Sequence, residues 1–459
     1  MKRFPVPMLL AFILALPVDA LAQGPVAAPP LLLTLRQAVD IALEKNPGLQ
    51  QSANQVEIDR INVAQRQANF APDLAATLAG SERFDKALEA DGSRDRRDYE
   101  NASGSLGSNL NLFNGFGDVA ALRGADWSLQ GRLDTFTRDQ QTLTYSTVTA
   151  FLQALSDHEL IRVRTENLEG NRRLLEQIAA LYQAGNRPVS DLYQQQAETA
   201  NAELDLLTAE RNYTVSRRKL LQTIGLPPVA GVTLQAPEVQ PLEAALVARQ
   251  QQPPDMGALM RRNDLQAAEQ QVKAAGEQVS VARAGYWPTL NLSAVAGSDY
   301  SSLNRTADFS GQFLDDNVSA AIGLTLSVPI FDRQLTRNQV AQARILQDNA
   351  RLSLLAQRLQ AETELGQTID DFQTAQKLIG VTEARLTAAR EALAAMEERY
   401  RVGAATLVEL TQARTSYTSA GYDRVKARYG LITQGVAVAY YQGDGERMRE
   451  LLAHWENAQ

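Results

Sequence analysis

Between Asn101 and Phe113 the chain alternates with a period of two. Ala102, Gly104, Leu106, Ser108, Leu110 and Leu112 stand on one face, and Asn101, Ser103, Ser105, Gly107, Asn109 and Asn111 on the other. A second run alternates more cleanly, with Val318, Ala320, Ile322, Leu324, Leu326 and Val328 against Asn317, Ser319, Ala321, Gly323, Thr325 and Ser327. Each run follows a shorter partner, at residues 74–78 and 290–294. The pattern predicts two β-hairpins, each with one apolar face and one face of small polar residues. Aromatic residues bracket them, with Phe70, Phe113, Tyr286, Trp287 and Phe331 at one end and Phe84, Tyr99 and Tyr300 at the other. Membrane strands place such residues in interfacial girdles. The turns inside the hairpins read as long and polar, carrying residues 95–98 (Asp-Arg-Arg-Asp) in the first and Asp315-Asp316 in the second.

After each hairpin the spacing changes to threes and fours. Leu129, Leu133, Phe136, Leu143, Ala150, Ala154, Ile161, Leu168, Leu175, Ile178 and Tyr182 mark a helical seam, and no proline occurs between Phe116 and Ala184. A helix over that stretch is about 100 Å long. The chain then repeats itself. Tyr182-Gln183-Ala184-Gly185 returns as Tyr400-Arg401-Val402-Gly403, a step of 218 residues, and the same step carries Leu112-Phe113-Asn114 to Ile330-Phe331-Asp332 and Asp191-Leu192 to Glu409-Leu410. It also carries the seam onto Leu354, Ile379, Leu386, Leu393, Met396 and Tyr400. A shared seam register predicts coiled-coil-like packing. Each copy thus reads as a short helix, a strand hairpin, a long helix, a tight turn and a returning helix. The return helices span about residues 189–224 and 406–440, and the short ones about residues 49–69 and 264–284. Laid end to end, a short and a return helix nearly cover one long helix. The expected organisation is a signal peptide over 1–22, a first repeat over 23–228, a linking or equatorial segment over 229–262, a second repeat over 263–443 and a tail over 444–459.

Composition narrows the chemistry. The 459 residues include no cysteine and only two histidines, His158 and His454, which removes disulfides, thiolate metal sites and a histidine-cluster metal site. His158 reads as an ordinary helix-surface residue. With no glycine-rich phosphate loop either, an enzyme is not expected. The formal net charge of −8 argues against nucleic acid as a partner. The N-terminus has basic Lys2 and Arg3, an apolar run over residues 8–16 and a small-x-small site at Ala20-Leu21-Ala22, the pattern of a secretory signal peptide. Its removal takes two basic and one acidic residue, leaving a formal charge of −9. No cysteine follows the site, so no N-terminal lipidation is expected, and no later apolar stretch reaches the roughly 18 residues of a spanning helix.

Two hairpins make four strands, too few to close a barrel, and an open edge in lipid leaves backbone groups without partners. Closure must come from several chains. Eight strands give an interior filled by side chains, whereas twelve leave a passage, so three chains are preferred.

The duplicated order of hairpin, long helix, Tyr-x-x-Gly turn, acidic residue and return helix resembles the TolC-like outer-membrane efflux protein family. Leu35, Ala38, Ala42, Asn46 and Pro47 look like the family's opening helix, Tyr286-Trp287-Pro288-Thr289-Leu290 like its strand entry, and Val328-Pro329-Ile330-Phe331-Asp332 like its strand exit. The resemblance implies a mainly α fold with a membrane β part: a homotrimer whose shared 12-strand outer-membrane barrel continues as a periplasmic helical tunnel. It implies an exit duct for tripartite efflux or type I secretion, partnered by a periplasmic adaptor protein and an inner-membrane pump that supplies the energy. No catalysis, cofactor or metal is implied. By the same resemblance Tyr400, Glu409 and Gln412 occupy the positions of the periplasmic gate, although Gln412 lacks the second carboxylate and so weakens the ring of charge. Gly185 and Gly403 turn the chain at the tips, and Asp191 is expected to be structural, near Arg187, or to touch the adaptor. The competing reading is a surface-attached coiled coil or adhesin with no pore.

Overall fold

The computed structural model describes residues 31–88, 94–228, 231–236, 239–248, 256–445 and 448. The expected signal peptide, His454 and most of the expected tail lie outside these. The elements run β1 (Leu31–Leu33), α1 (Leu35–Lys45), α2 (Pro47–Ala68), β2 (Ala75–Leu88), β3 (Arg94–Asn114), α3 (Gly117–Gln183) and α4 (Val189–Thr223). There follow β4 (Val232–Leu234), α5 (Val239–Ala248), α6 (Met256–Leu259), α7 (Asn263–Ala284), β5 (Thr289–Ser301), the short α8 (Phe309–Gly311), β6 (Ser319–Ser327), α9 (Leu335–Arg401) and α10 (Leu407–Tyr441). Both long helices have 67 residues and both return helices 35, and each pair is related by the 218-residue step.

β2, β3, β5 and β6 form one antiparallel sheet in that order, so the two hairpins lie side by side and β2 and β6 are its edges. The register gathers the leucines and isoleucine of the strands on one face, while Val295 pairs with Ala321 on the other. Leu106 pairs with Ala76 and Ala296, Leu110 with Leu292, and Leu292, Ala294 and Ala296 with Leu324, Ile322 and Ala320. The opposite face carries Thr77, Ser105, Asn109, Asn291, Ser293, Gly323 and Thr325. A register shift between Asn111 and Phe113 places Phe113 opposite Leu290, on the apolar face, although its parity in sequence predicts the polar one.

The connections differ from the sequence expectation. Residues 95–98 belong to β3 and pair with residues 84–87 of β2, rather than forming the turn. Backbone pairing continues through charged residues because the ladder uses main-chain groups, and nothing requires a hairpin to end where its apolar band ends. In the second hairpin, Asp315 and Asp316 lie in a single π-helical turn (Gln312–Asp316) that continues α8.

The helices stack as their lengths predict. Along α3, α4 covers the half distal to the sheet and α2 part of the half nearer to it; α10 and α7 do the same along α9. At the first junction Asn46 caps α2, accepting from the Leu49 amide at 3.0 Å, while its side-chain amide donates to Thr223 O at the end of α4 at 2.8 Å. At the second, Arg262, the N-cap of α7, bridges Asp264 (2.7 Å) and Glu364 (3.3 Å). The largest apolar core lies halfway along the long helices. It joins α1, Val148 to Leu160 of α3, the ends of α4 and α10, and the segment between the repeats. That segment supplies β4, which pairs in parallel with β1, and α5, whose Glu243 accepts from Arg424 at 2.6 Å and Arg428 at 3.0 Å.

α3, α4, α9 and α10 all end in the same way. Gly185, Gly225, Gly403 and Gly443 take φ of +78°, +77°, +76° and +71°. Each is followed by a residue whose N–H returns to a carbonyl five residues back, as in Asn186 to Leu181 and Ala404 to Arg399, both at 2.8 Å. This is the Schellman closure, for which a residue without Cβ is preferred.

The surroundings of two of these glycines differ, which separates strain from packing. A Cβ at Gly185 meets nothing within 4 Å, whereas one at Gly225 lies 2.6 Å from the Lys45 carbonyl oxygen. Gly185→Ala should cost about 1–2 kcal/mol from backbone strain alone. Gly225→Ala should cost more and should also loosen the α2–α4 junction. Thermal unfolding followed by far-UV circular dichroism tests the order; equal losses would remove the packing contribution.

Candidate functional site

The far ends of α3 and α4, and of α9 and α10, meet in one small apolar core. Leu174 and Ile178 of α3 pack with Tyr400, Ala405, Leu407 and Leu410 of the second hairpin, and Leu192, Leu393 and Met396 fill in around them. This core pins the two tips of one chain together. Its contributors recur at helical spacing, which is why the sequence seam found several of them.

Tyr400 is the centre of that core. It is 8% exposed, while its counterpart Tyr182 in the first copy is 41% exposed. The Arg187 guanidinium carbon lies 4.6 Å from the centroid of the Tyr400 ring, a cation–π contact from the first tip to the second. Arg187 also stands 3.7 Å from Asp191, in the first turn of α4. The Tyr400 hydroxyl is buried without a hydrogen-bond partner among the described residues. Burial pushes its pKa upward, Arg187 pulls it partly back, and Asp191 adds to the rise.

Glu409 behaves differently. One of its carboxylate oxygens accepts from the Thr406 backbone amide at 2.7 Å and from the Thr406 hydroxyl at 2.9 Å, while the Glu409 amide donates to Thr406 Oγ1 at 3.2 Å. This is a reciprocal capping box at the start of α10. The backbone and hydroxyl hydrogen bonds from Thr406 hold the Glu409 carboxyl below the usual glutamate range. The first copy has Pro188 at the position of Thr406 and no side-chain cap. Gln412 is exposed on α10. Within one chain the three residues named from the resemblance therefore stand apart: Tyr400 in the tip core, Glu409 folded back on its own helix start, Gln412 on the surface. Gly185 and Gly403 are at the turns themselves, exposed and with open space around their Cα atoms.

Sequence reasoning placed Arg187 beside Asp191 but missed its contact with Tyr400 and the cap made by Thr406. The Thr-x-x-Glu spacing of Thr406 and Glu409 is a local signal that identifies the cap. Nothing local joins Arg187 to Tyr400. It also missed a buried polar ladder further along the helices. There the fully buried Gln195 of α4 donates to Asn171 Oδ1 at 3.0 Å, Asn171 donates to Asn167 O at 3.0 Å, and Thr418 of α10 donates to Asn167 Oδ1 at 3.0 Å. The ladder crosses from the first hairpin into the second.

Among the described residues no group of carboxylates and histidines is arranged to hold a metal ion, and no helix is long and apolar enough to cross a membrane. Comparison with known proteins is consistent across sequence and fold. The profile of the family described as "Outer membrane efflux protein" matches residues 38–226 and 257–443. The outer membrane protein TolC of Escherichia coli is 25% identical over 307 residues, which cover 65% of this chain and 60% of TolC, so the match spans less than two thirds of that relative. The pyoverdine export outer membrane protein OpmQ of Pseudomonas putida is 26% identical, with 90% of this chain and 86% of OpmQ covered. The crystal structure of CusC superposes with a TM-score of 0.78 at 15% identity, covering 91% of this chain and 94% of that one.

The capping box makes a pH prediction. The folded-state pKa of Glu409 is depressed, so its contribution to the start of α10 is complete above the ordinary glutamate pKa of about 4.3. It is lost as the pH falls through the lower folded value. Hydrogen exchange of a peptide covering residues 404–412, corrected for intrinsic rates, should quicken below that pH. Glu409→Gln keeps a capping partner and should abolish the pH dependence; if it leaves the dependence intact, another group is responsible.

Proposed function

Because the chain belongs to the outer membrane efflux protein family, we propose that three copies assemble into an exit duct, which passively conducts substrates through the outer membrane from an inner-membrane pump held by a periplasmic adaptor. The observation that carries this reading is a sheet with one apolar face and two open edges, continued in the same chain by paired helices about 100 Å long. Ile322 is 82% and Leu78 84% exposed on that apolar face, which suits lipid and suits water poorly. A coiled coil without a pore gives this face no role.

The edges indicate how copies join. β6 and α9 form one flank of the chain, while β2, α2 and α4 lie at the other. α9 exposes Ile345, Leu352, Leu355 and Leu359; the opposite flank exposes Ile58 and Ile61 on α2 and Leu204 and Leu207 on α4. Pairing β6 of one copy with β2 of the next satisfies both strand edges and covers both apolar flanks, and a rotation that closes makes a ring. Two copies give a barrel filled by side chains, and three give twelve strands with a lumen. The lumen wall is then the face of Thr77, Ser105, Asn109, Asn291 and Ser293. Small neutral polar groups hold water and offer little to discriminate cargo.

In this reading the first repeat spans 23–228 and the second 263–443, with β4 and α5 of the linking segment 229–262 forming part of a belt at mid-height. The tips are the periplasmic end. Tyr400 with Arg187 ties the second hairpin to the first and favours the closed tip, and three Glu409 carboxylates brought near the axis repel one another and attract cations. Gly185, Asp191 and Gly403 form the surface that the adaptor reads.

Two measurements test the assembly and the gate. The native mass of the detergent-extracted membrane fraction should correspond to three chains per particle; a monomer or dimer overturns the shared barrel. Replacing Tyr400 and Glu409 with Ala should raise single-channel conductance in planar bilayers, and Arg187→Ala should do so in part. Unchanged conductance removes these residues from the gate.

A further inference from the structure

The connection between β5 and β6 does not project beyond the sheet as a free loop. It folds back onto the apolar face. Phe313 lies directly over Gly104, where an added Cβ would stand 2.9 Å from the Phe313 Cζ and 3.1 Å from Leu78 Cδ2. Gly104 pairs with Leu78 and with Ser298, and Ala102 pairs with Tyr300, so all five lie on the face that also carries Leu106 and Ile322. Phe309 stacks on Phe313 at 5.2 Å and meets Tyr300 edge-on at 5.1 Å, making a run of three aromatic rings against this wall. The Ser298 hydroxyl is buried and unpartnered on a face that is otherwise open, as expected beneath a cover. The glycine at 104 is thus explained by a close approach, not by a turn.

The segment is held internally. Gln312, fully buried, accepts from the Ser301 amide at 3.1 Å and donates to the carbonyls of Asn304 and Ala307 at 2.9 Å each. Asp308 accepts from the Gly311 amide at 2.9 Å, and Asn317 donates to the Asp299 carbonyl at 2.7 Å. Main-chain groups paired in this way are the condition for non-strand backbone to sit beside hydrocarbon. The outward surface is apolar at Leu303, Phe309 and Leu314, which are 53%, 52% and 74% exposed. Exposed charges at Arg305, Asp308, Asp315 and Asp316 surround these.

We propose that residues 302–318 form an amphipathic knuckle embedded in the outer leaflet, with Phe309 and Leu314 against acyl chains and the surrounding charges at headgroup level. The occupant is lipid because the knuckle continues the lipid-facing wall of the sheet, on which its own rings rest. The proposal rests on the outer-membrane barrel reading. In a ring of three chains it sets three aromatic anchors around the outer rim of the barrel, where interfacial aromatics hold a protein at fixed depth.

The chain has no cysteine, so single labels report one site each. Leu314→Cys and Phe309→Cys, both at exposed positions, are nitroxide-labelled in the full protein and reconstituted into vesicles of phospholipid with lipopolysaccharide. Ile322→Cys on the apolar face and Thr325→Cys on the opposite face serve as references. Collision rates with oxygen and with a water-soluble nickel chelate are compared. The expected result is that positions 314 and 309 follow 322, with an oxygen-to-nickel ratio several-fold above that at 325. If 322 favours oxygen while 314 and 309 follow 325, the knuckle is in water and the proposal is overturned. If 322 itself behaves like 325, the barrel reading fails and the knuckle proposal falls with it. Phe313→Ala adds a second readout: loss of the ring over Gly104 should increase the mobility of the label at 314, and unchanged mobility contradicts the docking on the wall.

Discussion

A backbone group inside hydrocarbon has no water to bond, and that constraint governs this chain. Four strands with two open edges cannot be an end state in a membrane. The proposed ring follows from the need to complete the sheet with copies of itself. In the proposed ring the edges that pair carry helices on the same flanks, so strand closure and helix closure are a single event. The apolar residues left bare on α2, α4 and α9 are the helical counterpart of the bare strand edges. In the proposed ring they become interior.

The two repeats share a backbone and differ in what that backbone holds. Both tips close with the same glycine geometry, yet Tyr182 is partly exposed where Tyr400 is buried, and Pro188 stands where Thr406 completes a cap with Glu409. At the strand-to-helix corner, Gly115 and Phe116 take positive φ in the first copy, and Arg333 and Gln334 take it in the second. Duplication thus supplied two hairpins of equal length and left their side chains able to diverge. One tip provides Arg187 as a lid over the other's aromatic ring, an arrangement that a pair of identical tips cannot make.

Much of this was legible in the sequence, because much of it is local or periodic. The strand alternation, the helix spans and the turn glycines each follow from one stretch of chain. The boundaries of α3 and α4 fell within a residue or two of expectation. What escaped depends on distant partners. β1 and β4 are three residues each, without room for a period, and they find one another across some 200 residues. The bulge that turns Phe113 outward appears only when β3 is laid against β5. The polar residues at 95–98 suggested a turn, since charge is common in turns; only pairing with β2 reveals a strand. At the tip, the family resemblance named Tyr400 and Glu409 but not their partners. Glu409 has a local partner that the Thr-x-x-Glu spacing marks. Tyr400 has a remote one that no spacing marks.

The equal lengths of α3 and α9 restrict how such a molecule can change. One residue added to either helix rotates everything beyond it by about 100° and advances it by 1.5 Å. The tip of that hairpin then faces away from its neighbour, and Tyr400 leaves Arg187. The strands and connections tolerate unequal lengths, as β3 and β6 show with 21 and 9 residues. The long helices do not, and both remain at 67. They act as a pair of coupled rulers. The reach of the molecule can be altered only by matched edits in both halves, close to whole numbers of turns, so its span is inherited as a nearly discrete quantity.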